Sequence, residues 1–286
     1  SNKKYFKIKN GLWKGYQLWD LYKKAHTPLE WHKKLFNYAK SIGIKIFSTP
    51  FDETAVFFLE KLNCPIYKVA SFEMTDLPLI KIIAKTKKPM IISTGMCSYD
   101  EIAETYDALL EKNTQLALLN CVSEYPPDYE DINLKVISKM QSMFPKAIIG
   151  HSDHTPTIYT CFGAVTLGAK IIEKHITLSR DDGGVDSVFS LEPDEFKSLV
   201  IETERAWQSL GKVTYGPTDA EKSSRIFRRS LYIAEDMKKD DVLNEKNLRI
   251  VRPGLGIPPK YYELFLGRKI NRDVKKGTAV EWGIIS

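Results

Sequence analysis

The chain has 286 residues, 43% hydrophobic and 27% charged, with a formal net charge of +6. This is ordinary globular composition, long enough for one large domain and a small one. The charge is too modest and too scattered for a nucleic-acid footprint, and it fits an anionic small substrate only weakly. No run is long and apolar enough to cross a bilayer, and the first ten residues are polar and lysine-rich, without a signal-peptide core. A cytoplasmic protein with no membrane and no nucleic-acid partner is expected. Cys64, Cys97, Cys121 and Cys161 show no CxxC spacing, which points to buried thiols rather than disulfides or zinc ligands.

Residues 1–27 are aromatic and basic, with a short strand expected at 6–9 and a turn-rich loop at 11–15. Thr27-Pro28-Leu29-Glu30 reads as a capping box with proline at the first helical position, opening a helix that runs to about 41. Apolar runs at 44–48, 66–70, 90–93, 116–120, 147–150 and 170–173 predict six strands. Segments 53–62, 77–85, 99–111, 133–143 and 156–168 predict the helices between them, and 194–210 a last helix. Ser98 with Glu101 is a second capping box.

Near-continuously apolar strands alternating with helices give a parallel α/β sheet. Every strand run ends in polar or small residues: Ser48-Thr49-Pro50-Phe51-Asp52, Ser71-Phe72-Glu73, Ser93-Thr94-Gly95-Met96, Asn120-Cys121-Val122-Ser123-Glu124-Tyr125, Ser152-Asp153-His154 and Lys174-His175. A doubly wound sheet concentrates such residues at one switch point. A (β/α)8 TIM barrel uses every strand end, and that is the expected fold. Six units are counted where eight close a barrel. The first two βα units are therefore expected to precede residue 1, leaving the chain shortened at its amino end.

After residue 211 the pattern changes. A barrel domain is expected at 1–211, a polar linker at 212–225 and a small, mostly β module at 226–286. In that module Asp236-Met237-Lys238-Lys239 is echoed by Asp273-Val274-Lys275-Lys276, which suggests an internal two-fold.

His154 and His175 follow two apolar runs flanking one helical segment. A right-handed crossover makes those strands parallel and brings both imidazoles out on one edge. Paired in this way they suit a divalent metal or catalysis, although histidines that cap buried polar networks would look the same.

Ser48-Thr49-Pro50-Phe51-Asp52, Tyr67-Lys68-Val69-Ala70-Ser71-Phe72-Glu73, Ser93-Thr94-Gly95-Met96, Cys121-Val122-Ser123-Glu124-Tyr125-Pro126, Ser152-Asp153-His154-Thr155, Glu173-Lys174-His175 and Val251-Arg252-Pro253-Gly254 together resemble the sialic acid synthase family, in order and spacing. Gly11-Leu12-Trp13-Lys14-Gly15, Trp31-His32-Lys33 and Asp181-Asp182-Gly183-Gly184-Val185-Asp186-Ser187 look more like the pseudaminic acid branch than the N-acetylneuraminate branch, with N-acetylneuraminate or legionaminic acid synthase as the alternative. The resemblance implies a TIM barrel joined to an antifreeze-like SAF domain. It also implies condensation of phosphoenolpyruvate with an amino sugar, here 2,4-diacetamido-2,4,6-trideoxy-altrose, to a nine-carbon 2-keto acid with release of phosphate.

On that resemblance, His154 and His175 hold Mn2+ or Mg2+, and Lys68 with Thr49, Ser71, Ser93, Ser123 and Ser152 forms a cradle for the two anionic groups. Singly, each of those hydroxyls is better explained as a strand-end cap; it is their convergence from separate strand ends that points to a cradle. Tyr125 and Asp186 face the sugar, Glu73 is either a polar organiser of the site or a structural carboxylate, and Arg252 comes from the other subunit of a domain-swapped homodimer. Two other readings stay open: a metal-dependent aldolase acting on a keto acid, and a sugar-binding fragment without turnover.

Overall fold

The computed structural model describes residues 3–112 and 114–285. The chain divides between Gly211 and Lys212 into two compact units. The first unit contains helices α1 (Leu18–Ala25), α2 (Leu29–Ser41) and α3 (Glu53–Lys61), followed by an alternating series. That series is β1 (Tyr67–Val69), α4 (Leu77–Lys85), β2 (Met90–Ser93), α5 (Tyr99–Leu110), β3 (Leu116–Cys121), α6 (Lys135–Met143), β4 (Ile148–Asp153), α7 (Tyr159–Thr166), β5 (Ile172–Lys174) and α8 (Pro193–Ser209).

The five strands are parallel and lie in the order β1-β2-β3-β4-β5. Each strand is followed by its own neighbour, so the winding never reverses and no switch point exists. Barrel winding follows from this order, and the sheet curls as a half-barrel. The curl is visible in a side-chain contact: Lys68 of β1 lies 3.5 Å from the Glu173 carboxylate of β5. In a flat sheet four strand spacings would separate these strands by about 19 Å, beyond the reach of the two side chains.

The expected strand at 44–48 survives only as a parallel bridge between Ser48 and Tyr67, and a further parallel bridge joins Ile176 to Leu191. These edge positions are too short to show any periodicity in sequence. The strand expected at 6–9 is likewise a single antiparallel bridge, Lys7 to Gln17.

Local chemistry explains several helix starts. Asp52 accepts from the Ala55 amide at 2.8 Å and Asp76 from the Leu79 amide at 3.1 Å, capping α3 and α4. Ser98 and Glu101 form the reciprocal box that opens α5. The box expected at Thr27 and Glu30 does not form. Pro28 stays extended (φ −54°, ψ 134°) and occupies the capping position itself, so α2 starts one residue later, without a side-chain cap. After α7 the chain reverses at Gly168 (φ +100°), a backbone conformation that favours glycine.

The core lies between the sheet and its helices. Ile92, Leu118, Ile80 and Ile83 are fully buried there, each contributing about 1.5–3 kcal/mol of burial free energy.

The second unit pairs β6 (Ser230–Ile233) with β7 (Leu248–Val251) antiparallel and adds a short helix, α9 (Tyr262–Phe265). Its core is Leu231, Ile233, Leu248, Phe265, Ile270, Val280 and their neighbours. The sequence echo is a physical pseudo-two-fold. Met237 and Val274 exchange backbone bonds at 2.9 Å. Lys238 pairs with Asp273, and Lys275 with Asp236, both at 2.7 Å. Each aspartate also accepts from an amide of the opposite turn, Asp273 from Lys239 and Asp236 from Lys276, at 2.9 Å. Among the described residues, no helix in either unit is long and apolar enough to cross a membrane.

Candidate active site

The site is assembled at the carboxyl ends of the parallel strands, where side chains from separate strands meet. On β1 the buried ammonium of Lys68 donates to Ser93 Oγ of β2 at 2.8 Å and to the Val69 carbonyl at 3.1 Å, and lies 3.5 Å from Glu173. The same Glu173 oxygen accepts from Ser152 Oγ of β4 at 2.7 Å. Lys68, Ser93, Ser152 and Glu173 are therefore one linked polar group.

Ser71 Oγ accepts from the Gly95 amide at 3.0 Å. A Cβ on Gly95 would lie 2.3 Å from Ser123 Oγ and 2.8 Å from Ser71 Oγ. The absence of a side chain at Gly95 is what lets the two hydroxyls approach. Ser123 Oγ is buried without a hydrogen-bond partner among the described residues.

The register of β4 on β5 pairs Ser152 with Glu173 and Asp153 with Lys174. One step further on lie His154 and His175, their ring centroids 5.3 Å apart. His154 Nδ1 donates to the Val122 carbonyl at 2.8 Å, so its Nε2 is left as a bare lone pair. Burial is the main cause that lowers both imidazole pKa values, leaving neutral rings at physiological pH. His175 Nδ1 is 3.6 Å from the Asp186 carboxylate, whose own pKa is raised by burial.

Tyr125 stands 4.5 Å from the His154 ring, its phenol pushed up to about 12, chiefly by burial. Phe189, fully buried, packs 4.9 Å from His175 and 5.5 Å from Tyr125.

The matches to protein-family models follow this geometry. Residues 1–215 match the NeuB family and residues 228–283 the SAF domain. The chain belongs to the NeuB family. A pseudaminic acid synthase of Campylobacter jejuni is 40% identical over 284 residues, 99% of this chain and 82% of that protein. A pseudaminic acid synthase of Helicobacter pylori is 41% identical over 276 residues, 96% of this chain and 81% of its own. Among solved structures, an N-acetylneuraminic acid synthetase from Leptospira borgpetersenii in complex with citrate superposes with a TM-score of 0.68. It is 34% identical and covers 72% of each chain.

Of the residues picked out from sequence, this NeuB chain brings Lys68, Ser93 and Ser152 into one hydrogen-bonded set. Ser71 and Ser123 flank Gly95, and His154, His175, Tyr125 and Asp186 form a second group that shares β4 and β5 with the first. Glu73 follows β1 in a 3-10 turn. Its Oε2 is buried without a partner among the described residues, and its pKa is raised first by burial and then by Asp76. Thr49 is half-buried just beyond the Ser48 bridge. Arg252 is exposed in the second unit, at the turn after β7.

Three contributors were missed. Glu173 lies on β5 two residues before His175, which follows the end of that strand, so continuation of the two-residue period places both on one face. That signal was available. Phe189 carries no local signal, and the Gly11–Gly15 segment, though part of the family resemblance, gives no sign that Trp13 reaches the site from the far amino end.

Among the described residues, no three or more His, Cys, Asp or Glu side chains cluster closely enough to form a complete metal cage. Two neutral imidazoles, one with its tautomer fixed by a backbone carbonyl, fit an open catalytic metal site whose other positions go to water and substrate.

Proposed function

We propose that the protein catalyses the synthesis of pseudaminic acid, condensing phosphoenolpyruvate with 2,4-diacetamido-2,4,6-trideoxy-altrose to a nine-carbon 2-keto acid and phosphate. The observation that carries the reading is the sharing of β4 and β5. Ser152 on β4 and Glu173 on β5 join the hydroxyl-rich cradle around Lys68 and Ser93, and the neutral imidazoles of His154 and His175 stand two residues further along, just past the ends of the same two strands. An anionic reactant and an aldehyde are thereby held side by side, which removes much of the entropic barrier to joining them.

In this reading Lys68 neutralises phosphoenolpyruvate while Thr49, Ser71, Ser93 and Ser123 donate to its carboxylate and phosphate, and Ser152 joins them by turning its hydroxyl from Glu173 to the ligand. His154 and His175 would hold Mn2+ or Mg2+, which when bound polarises the aldehyde oxygen of the open-chain sugar. Tyr125 and Asp186 orient the sugar. C3 of phosphoenolpyruvate bonds to the aldehyde carbon, and the aldehyde oxygen takes up a proton. Water then adds at the electron-poor C2, giving its proton to Glu73. The tetrahedral carbon loses phosphate by C–O cleavage, the proton of the C2 hydroxyl passes to the departing phosphate, and the ketone is left.

Arg252 of each subunit contacts the sugar bound by the other in a cytoplasmic two-fold dimer. Mixing an inactive His154→Ala chain with an inactive Arg252→Ala chain is expected to restore activity, because one site of each mixed dimer is intact. If no activity returns, Arg252 does not act across subunits.

The test of function is phosphate release from phosphoenolpyruvate with each candidate sugar, with the product mass read in parallel. Release that requires the diacetamido-trideoxy sugar supports the reading. Equal release with N-acetylmannosamine, or release with no sugar at all, overturns it.

A further inference from the structure

Trp13 sits in a loop closed at its base by backbone bonds between Ile8 and Tyr16 and between Gly15 and Ile8, both 2.9 Å. Two glycines at positive φ, Gly11 (+79°) and Gly15 (+97°), turn this loop. From there its indole Nε1 donates to the Val185 carbonyl at 3.0 Å, a contact spanning 172 positions of sequence. The next residue, Asp186, faces His175. The same indole lies 5.2 Å from the ring of Tyr125, which in turn packs on His154.

On its other side the 183–186 loop is held by its own neighbours. Ser187 Oγ donates to the Gly184 carbonyl at 2.9 Å and Ser190 Oγ to the Asp186 carbonyl at 2.7 Å. Trp13 therefore joins two parts of the site that approach from separate strand ends. It also continues the row of rings formed by Tyr125 and Phe189.

We propose that Trp13 is a sugar-specificity residue: it fastens the Asp186 loop against Tyr125 and gives the sugar side of the site an apolar wall that selects an acceptor ending in a methyl group. The inference rests on the sugar-condensing reading above and deepens it. The physical reason is the use already made of the indole N–H. Because its single donor is engaged by Val185, the half-buried ring has only apolar surface to offer a ligand. A methyl group gains by contact with such a wall. A hydroxymethyl group there would leave a hydroxyl desolvated and unpaired. Discrimination of about tenfold or more is expected from a contact of this kind.

The test compares wild type, Trp13→Ala and Trp13→Phe with two probes, 2,4-diacetamido-2,4,6-trideoxy-altrose and the analogue that keeps its 6-hydroxyl. Binding is read by titration calorimetry with phosphoenolpyruvate present, and kcat and KM by phosphate release. Thermal melting establishes that each variant is folded. Wild type is expected to favour the methyl sugar by about tenfold or more, and Trp13→Ala to lose most of that preference with KM for phosphoenolpyruvate unchanged. Trp13→Phe, which keeps an apolar ring but no donor, should keep the preference and bind both sugars more weakly.

The proposal is overturned if Trp13→Ala keeps the wild-type preference, if wild type binds both sugars equally, or if KM rises alike for both substrates. Trp13-dependent preference in binding without phosphate release from either sugar would support the specificity role and sink the condensation reading instead.

Discussion

Replacing Lys174 with methionine tests how the two histidine-bearing strands are held in place. Lys174 and Asp153 pair at 2.5 Å with both side chains only 1% exposed. At an effective dielectric constant of about 20, unit charges at that separation attract by about 7 kcal/mol. Not all of this is lost in Lys174→Met. Asp153 keeps the Thr155 amide at 3.1 Å, the Thr155 hydroxyl at 2.9 Å and the Cys161 thiol at 3.5 Å. The Thr155 carbonyl, however, also loses the donor that Lys174 supplies.

Removing one partner of a buried pair typically costs about 3–5 kcal/mol, and that is the expected loss. The assay is denaturant unfolding followed by the helical far-UV signal, with Asp153→Asn and the double variant completing a cycle. The double variant should lie within about 1–2 kcal/mol of wild type, because no bare charge remains in it. A cost for Lys174→Met no larger than the roughly 1 kcal/mol of an exposed pair would refute the reasoning.

Gly95→Ala drives a methyl into Ser123 and Ser71; kcat/KM for phosphoenolpyruvate should fall roughly a hundredfold, and an unchanged value would remove the two hydroxyls from the cradle. His154→Ala or His175→Ala should abolish Mn2+ binding and turnover while the melting temperature stays near wild type, since both follow strand ends. Full activity after exhaustive chelation would contradict the metal assignment. In the second unit, hydrogen bonds from Lys275 and Lys238, followed by backbone amides, hold Asp236 and Asp273 below the ordinary carboxylate range. Their stabilisation is therefore complete above the unfolded carboxylate pKa of about 3.9 and is lost as pH falls through the lowered folded values. Asp236→Asn should flatten that acid limb in thermal melts against pH, and superimposable limbs would show that the reciprocal pairs contribute nothing.

What was legible in the sequence, and what was not, follows from the range of each interaction. The interior strands stood out because near-continuous apolar runs such as Leu116-Ala117-Leu118-Leu119 are buried on both faces. The Ser98–Glu101 cap was legible because both partners lie within four residues. At Thr27 the same pattern misled, since Pro28 keeps an extended backbone and takes the cap position. The ladder at 44–48 could not be sized, because its length depends on how well its partner follows it. His154 and His175 were found as a pair because register between parallel strands follows from the crossover. Trp13 and Val185 were invisible as partners, since nothing local links residues so far apart in the chain.

Alternation along β4 and β5 explains why neighbouring residues there do opposite work. Ser152 and Glu173 bond to each other on the side where Lys68 lies. The next pair, Asp153 and Lys174, turns the other way, where Cys161 of α7 meets the aspartate. His154 and His175 return to the first side. A strand with period two has no other choice. The inward pairs must stay open to ligands, so they hold few bonds to one another. The outward pair carries the compensating order, with two opposite charges closed against water between the two inward pairs. Slipping β5 by one residue would send both His175 and Glu173 outward and bury Lys174 in the cradle. The Asp153–Lys174 pair opposes that slip, since only the native register matches its charges, and through that register it sets the spacing of the imidazoles.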